Sequence, residues 1–438
     1  MAASGFESAI LGKLFPTGDV GRLFTDSAEV RAMLLVEGTL AKVQGGLSVI
    51  PEISAAAIHR AAMEVQIDPG ALAEATGTNG VCIPALVSVF RDEMQAPEHA
   101  QFIHWGATSQ DIIDTGLMLR LRQAIALIET DLKKVLTALS HLAEQHADLP
   151  MAARTYGQHA TATSFGAQVA EWGVPLLEAV QDLDGVKARF WVSVSGASGT
   201  GAAYGDVAAT RAGLAEALGL IDPRRSWHTD RKPLLDIADW CVQVLVSLAK
   251  IGEDLTSMAQ TGLEEINLGG GGGSSTMPQK QNPVIPASLG ALSGLASGMR
   301  TTLSRPHRHQ RDGAAWFSEW LAMPQIVLAA ASGVQLTQKI VPGIKPNPKA
   351  LARAFDSGLI HSEALSFALA DIMARPEAQA ATKSLAIRAI NTETPLKQLA
   401  QEAWPDLDIQ SIFEPGTQMG DAPNAARAFA AAVRKTLG

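Results

Sequence analysis

Residues 110–148 read QDIIDTGLMLRLRQAIALIETDLKKVLTALSHLAEQHAD, a run without proline and with one glycine, Gly116. Apolar residues recur through Leu117, Leu121, Ile125, Ile128, Leu132, Val135, Leu136, Leu139 and Leu142, the spacing of one helix face. At about 1.5 Å per residue, such a helix runs on the order of 55 Å. Globular helices average only about 11–12 residues, so one this long belongs in a bundle.

The neighbouring segments agree. Residues 234–266 repeat the pattern, with Leu235, Ala238, Val242, Leu245, Leu248, Ile251, Leu255 and Met258 on one side. Segments 164–190, 286–303 and 315–341 also predict helices, the last with a kink at Pro324. Ahead of this block, 27–48 predicts an amphipathic helix capped by Ser27, and 80–95 a second helix. Beyond it, Pro342-Gly-Ile-Lys-Pro-Asn-Pro348 breaks the pattern before shorter helices reach the C-terminus. The expectation is an all-α chain in three parts: a small N-terminal helical domain at 1–109, a central bundle of long helices at 110–345, and a C-terminal helical domain at 346–438.

Composition narrows the function. A chain of 438 residues exceeds one ordinary core. Aromatic content is 5%, which favours helices packed through small residues over β-sandwiches. A formal charge of −9 excludes nucleic acid as the main partner, although a locally cationic pocket remains compatible with an acidic substrate. Cys82 and Cys241 are too few for a disulfide framework and read as reduced, buried thiols. No clustered ligand spacing for a metal appears; His307 and His309 lie two apart without a partner motif. The stretch from Met1 to Gly18 lacks a secretory pattern, and no apolar run approaches the ~20 residues that span a bilayer. A cytoplasmic protein with no membrane partner is expected.

Three polar regions stand out against the helices. Residues 266–283 read Ile-Asn-Leu-Gly-Gly-Gly-Gly-Gly-Ser-Ser-Thr-Met-Pro-Gln-Lys-Gln-Asn-Pro. Five consecutive glycines cannot form a stable helix interior. A plain linker would not need Met277, Pro278, Lys280, Asn282 and Pro283 behind them, and a phosphate loop fails because no Gly-Lys-Ser/Thr follows. Glycines ahead of two hydroxyls, a cation and an amide suit a lid closing over an anion. The second region, His104-Trp-Gly-Ala-Thr-Ser-Gln-Asp-Ile-Ile-Asp-Thr115, carries capping-box spacing at Thr108 and Asp111; a helix start with hydroxyls is also a carboxylate site. The third, Arg154-Thr-Tyr-Gly-Gln-His-Ala-Thr-Ala-Thr-Ser164, is a helix-poor patch that offers a guanidinium, a phenol, an amide and an imidazole.

Together these regions resemble the three signature regions of the fumarase/aspartase superfamily. Gly273-Ser-Ser-Thr-Met-Pro-Gln-Lys-Gln-Asn-Pro283 matches that family's Gly-Ser-Ser-x-Met-Pro-x-Lys-x-Asn-Pro at every defined position. The resemblance implies a three-domain, fumarase/aspartase-like fold in a homotetramer with a 20-helix core, each active site shared by three subunits. Departures refine it. Adenylosuccinate lyases carry His-Asp where this chain has Thr78-Asn79-Gly80, and a histidine where it has Tyr156; the longer Asn-rich region of fumarases and aspartases is absent. Better similarity is to the 3-carboxy-cis,cis-muconate cycloisomerase branch, through His104–Thr115, Gln158-His-Ala160 and Gln310-Arg-Asp-Gly-Ala-Ala-Trp-Phe-Ser-Glu-Trp320.

That resemblance implies lactone formation from a small polycarboxylate, in protocatechuate breakdown by the β-ketoadipate route, through an aci-carboxylate and with no metal or organic cofactor. It makes Ser274 the proton-transferring residue. Lys280, Tyr156 and His104 join it as catalytic candidates, with Lys280, Asn282, Thr108 and Ser109 suited to stabilising the aci-anion. Gln110, Thr155, Gln158, His159, Ser275, Met277 and Arg311 complete the expected substrate contacts. Arg311 has two readings, a substrate carboxylate or a bridge to Glu319. The alternatives are an adenylosuccinate-lyase-like C–N eliminating lyase, a 3-sulfomuconate cycloisomerase, and an inactive structural relative of the crystallin kind.

Overall fold

The long apolar run folds as one helix, Ser109–Gln145, of 37 residues. From Asp111 to Leu121 it is buried on every face; beyond that, burial narrows to a stripe through Ala124, Ile125, Ile128, Leu132, Val135, Leu136 and Leu139. The structure is a computed structural model and describes residues 4–269, 272–273, 277 and 280–438. Within these, the chain is mostly helical, with three two-stranded antiparallel sheets.

The other long helices form where expected, as Phe165–Gln181, Lys232–Met258, Val284–Thr302 and Gly313–Ile340. The first two end eight to nine residues short of the expected 190 and 266, the first giving way to a separate short helix, Leu183–Lys187, and Ile266 lying in a strand. Along Lys232–Met258 the buried stripe starts on Leu234, Ile237, Cys241 and Val244, leaving Leu235 and Val242 half-buried. Ala238 and Leu245 of the expected face are buried, so it missed only at Leu235 and Val242, an error that a helix apolar on most sides invites. Helix Gly313–Ile340 continues through Pro324. With Val341–Gly343 it is long and apolar enough to cross a membrane, yet 72% of its most apolar window is buried, as in a core helix.

Near the N-terminus, helix Asp26–Gly46 is capped by Thr25, whose Oγ1 accepts the Ala28 N–H at 3.3 Å; Ser27, the expected cap, already lies inside the helix. Helix Glu52–Glu64, which the periodicity did not single out, lies against it. Added methyl groups at Gly38 and Gly45 would come within 2.5 and 2.4 Å of the Ala62 and Ala55 side chains. Small residues thus set the spacing, and an alanine-rich helix shows little apolar contrast for sequence reading to use. Helix Ile83–Met94 carries Pro84 in its first turn, where no backbone N–H is needed. Both cysteines are unpaired; burial, and less strongly Glu29, pushes the Cys82 thiol up to about 11, while burial pushes Cys241 up to about 12.

The chain divides into two compact units. One comprises Met1–Asp131, Gln181–Val246 and Ala291–Gln335 and carries the His104–Thr115 region. The other comprises Leu132–Val180, Ser247–Gly290 and Leu336–Gly438 and carries the remaining two polar regions. Its C-terminal helices share a core of Leu365, Leu369, Leu396, Leu399, Ile409 and Phe413.

Candidate active site

The start of helix Ser109–Gln145 is organised by a buried carboxylate. The capping-box spacing is realised in part: Asp111 Oδ2 accepts the Thr108 N–H at 3.2 Å. Asp111 does much more than cap. Its Oδ1 accepts from Ser193 Oγ and the Ser195 N–H, both at 3.0 Å, and lies 2.9 Å from His228 Nε2. Its Oδ2 also accepts the Gly196 N–H at 2.9 Å and the Tyr204 hydroxyl at 3.0 Å. Burial alone would raise the Asp111 pKa. The hydrogen bond and charge of His228, with the Gly196 and Ser193 donors, hold it below its ordinary value. Burial and the same carboxylate push the Tyr204 phenol well above its usual value.

Arg311 lies beside this network. Its guanidinium donates to Gln110 Oε1 at 2.9 Å, Thr108 Oγ1 at 3.1 Å and the Ala197 carbonyl at 3.3 Å. All these acceptors are neutral, and among the described residues Arg311 forms no ion pair. The alternative bridge to Glu319 is overturned: Glu319 holds Arg231 at 2.7 Å and His307 at 3.1 Å. Arg231 also pairs with Asp114 at 2.7 Å; burial pulls its pKa down, but these two carboxylates outweigh burial and the net shift is upward. Gln110 belongs to this buried lattice. It is 0% exposed, its Nε2 donating to Asp114 and to the His228 carbonyl while its Oε1 accepts from Arg311. It can act on a ligand only by orienting Arg311. Thr108 is buried, Ser109 half-buried.

His104 sits at a backbone φ of 64°, a region side chains avoid, with its Nδ1 2.6 Å from Glu37 Oε1. Burial pulls its pKa down, but the charge and hydrogen bond of Glu37 outweigh this and the net shift is upward. Glu37 was not foreseen. Its only sequence signal is a charge interrupting the apolar run Met33-Leu-Leu-Val-Glu-Gly-Thr-Leu-Ala41.

The helix-poor patch is a β-hairpin. Strand Pro150–Thr155 pairs with Gln158–Ser164, Thr155 facing Gln158. The two turn residues, Tyr156 and Gly157, have φ of 52° and 72°, as a tight type I′ turn requires. Glycine meets that demand freely, whereas tyrosine accepts strain. The tip is held out into solvent: Thr155, Tyr156, Gln158 and His159 are all exposed, Tyr156 at 104%. Arg154, a possible carboxylate ligand by sequence, instead makes a two-point ion pair with buried Glu265 at 2.8 and 2.5 Å, its Nη2 lying 3.4 Å from His159 Nε2. Glu265, one residue ahead of the glycine-rich region and outside its motif, was not foreseen.

In the glycine-rich region, Gly272 pairs with Asn282 and Gly273 with Gln281 in a two-residue ladder. Ser274 and Ser275 lie outside the described residues. Met277 and Lys280 are exposed, and the Lys280 N–H donates to the Met277 carbonyl at 3.0 Å. A cavity of about 700 Å³ lies here, walled by Gln260, Glu264, Asn267, Met277, Lys280 and Asn282 among others. Lys280 is a cation at its edge, amides line it, and its size suits a small polycarboxylate.

Known proteins match this arrangement. The profile of a family described as Lyase matches residues 22–298. The chain belongs to the lyase family. This lyase is 35% identical over 425 residues to a 3-carboxy-cis,cis-muconate cycloisomerase of Pseudomonas aeruginosa, covering 93% of each chain. It is 36% identical over 386 residues to the enzyme of that name from Pseudomonas putida, covering 86% of this chain and 92% of the relative. The crystal structure of a 3-carboxy-cis,cis-muconate lactonizing enzyme from Pseudomonas putida superposes with a TM-score of 0.92 at 30% identity, covering 98% of this chain and 100% of that one. The fold of this lyase is therefore the fumarase/aspartase-like fold that its three polar regions resemble.

Proposed function

We propose that this lyase-family enzyme is a cycloisomerase interconverting 3-carboxy-cis,cis-muconate and a carboxymuconolactone. The observation that carries the reading is similarity to enzymes of that name over nearly the whole chain, with the three polar regions intact. A substrate carboxylate oxygen adds to the double bond and forms the lactone C–O bond. The displaced electron pair spreads into a neighbouring carboxylate as an aci-anion, and the α carbon then takes a proton.

Lys280, Asn282 and the helix-start donors Thr108 and Ser109 stabilise the aci-anion, the term that usually dominates such catalysis. Arg311, paired with no carboxylate among the described residues, binds a substrate carboxylate by charge-assisted hydrogen bonds, oriented by Gln110. Ser274 moves the proton: its hydroxyl gives it to the α carbon as the lactone forms, and the resulting alkoxide, held in a closed, water-poor environment, takes it back in the reverse direction. Tyr156 and His104 act at the same site; Thr155, Gln158, His159, Ser275 and Met277 shape it.

The active enzyme is a homotetramer with sites shared by three subunits. Two features support this: Tyr156 and its neighbours stand fully out on a strained hairpin tip, and Val246, Leu295 and Leu321 on the long helices are exposed at 52%, 37% and 74%. Such apolar exposure marks surfaces that association covers. Along the chain the working division is 1–109, 110–345 and 346–438. Two unpaired thiols suit a reducing, cytoplasmic location.

The deciding assay follows the ultraviolet absorbance of 3-carboxy-cis,cis-muconate on adding enzyme. Turnover that survives chelator, weakens at high salt and drops sharply for plain cis,cis-muconate is expected. Efficient cleavage of adenylosuccinate, or activity abolished by chelator and restored by zinc, overturns the reading.

A further inference from the structure

Helix Asp26–Gly46 carries a carboxylate that this chemistry has not used. Glu37 is 2% exposed, and its Oε2 is buried without a hydrogen-bond partner. Its Oε1 contacts the His104 ring nitrogen Nδ1 at 2.6 Å. Two helical turns further along the same helix, Gln44 Nε2 donates to the Trp105 carbonyl at 2.8 Å. One helix therefore grips His104 by its ring and the next residue by its main chain. The gripped segment is strained at His104, and at Gly106 (φ 76°) an added methyl would come within 2.8 Å of the Ala203 carbonyl.

A buried, ionised carboxylate is costly unless a cation faces it. The imidazole of His104 is the group that does so. The charges around that ring are Glu37 and Asp111, which favour its protonated form, and Arg91, which opposes it; Tyr204, hydrogen-bonded to Asp111, stays neutral. The ring nitrogens lie on opposite edges, so a bond at Nδ1 leaves Nε2, which has no partner among the described residues. The His104 side chain is 19% exposed.

Resting on the reading of His104 as a substrate-facing residue, we propose that Glu37 is a positioning residue that holds His104 as an imidazolium, Nδ1–H turned inward to Glu37 and Nε2–H presented to a substrate carboxylate. No proton is consumed at His104; its charge steadies the bound anion.

Glu37→Gln removes the charge and keeps the shape. KM and kcat for 3-carboxy-cis,cis-muconate, followed between about pH 5.5 and 8.5, should show wild-type KM rising on the alkaline side. In Glu37→Gln, KM at pH 8 should rise about tenfold, the effect of lowering the His104 pKa by about one, and converge with wild type near pH 5.5, kcat changing less than about threefold. Adding Glu37→Gln to His104→Gln should cost nothing more. A loss independent of pH, or fully additive with His104→Gln, overturns the proposal. Nitrogen NMR of histidine-labelled protein reads the His104 tautomer and titration without any turnover, so it separates this inference from the proposed reaction. An unchanged His104 titration in Glu37→Gln sinks it. If Glu37→Gln does not fold, the wild-type spectrum decides: a neutral His104 at pH 7, or one protonated at Nε2 alone, is the refuting result.

Discussion

Replacing Asp111 by asparagine removes one oxygen and adds an amide in the same volume, so no cavity forms. The structure makes the consequence specific. The six donors around Asp111 divide between its two oxygens: Ser193, Ser195 and His228 at Oδ1, and Thr108, Gly196 and Tyr204 at Oδ2. An asparagine that keeps its oxygen toward the first group turns its amide toward the Thr108 and Gly196 N–H groups. Tyr204 can rotate its hydroxyl to accept; the two backbone donors cannot. Two orphaned buried donors at about 1–3 kcal/mol each give a loss of about 2–6 kcal/mol. Ser193→Ala removes one donor and leaves the carboxylate well satisfied, so it should cost only about 0.5–1.5 kcal/mol. Urea unfolding followed by tryptophan fluorescence compares them, because Trp227 is buried beside His228 in the same unit. The pH dependence has a definite sign. The Asp111 pKa is lowered in the folded protein, so its contribution is present above the ordinary carboxylate value of about 4 and is lost as the pH falls through the folded value. The gap between wild type and Asp111→Asn should therefore narrow in acid. A variant within about 1 kcal/mol of wild type at pH 7, or a gap that is unchanged in acid, would refute the reasoning.

Ser274→Ala should lower kcat about 100-fold or more with the fold intact, and Ser275→Ala much less; equal activity in wild type and Ser274→Ala removes the serine from the mechanism. Arg311→Met should raise KM for 3-carboxy-cis,cis-muconate about 10–100-fold, the worth of a charge-assisted hydrogen bond to a carboxylate, and an unchanged KM assigns Arg311 to the scaffold. Light scattering should report a tetramer, and a fully active monomer contradicts a site shared among subunits.

The long helices were legible because a face repeating every three to four residues over dozens of positions admits no other secondary structure. Gly273–Pro283 was legible as a family signature because its residue types satisfy no structural need of a linker. The hairpin was not recognised: Pro150–Thr155 and Gln158–Ser164 are short and poor in β-branched and aromatic residues apart from threonine, and the Tyr156-Gly157 turn puts tyrosine where asparagine or aspartate is the usual signal. The Thr25 cap was missed by two residues because Thr25, Asp26 and Ser27 all suit a helix start.

What the sequence by itself determined is whatever depends on near neighbours along the chain: helix-forming periodicity, the glycine-rich break, and the chemical character of the three polar regions, which identify the superfamily. Tertiary structure decided which polar groups meet. Asp111 finds His228 117 residues away, Arg154 finds Glu265 111 away, and His104 finds Glu37 67 away. No local pattern encodes such pairs, because a buried charge can be neutralised by any segment the fold brings within hydrogen-bonding reach. The same physics left Arg311 among neutral acceptors and gave Arg154 a carboxylate, so only the folded chain could tell which of the two guanidiniums is already paired.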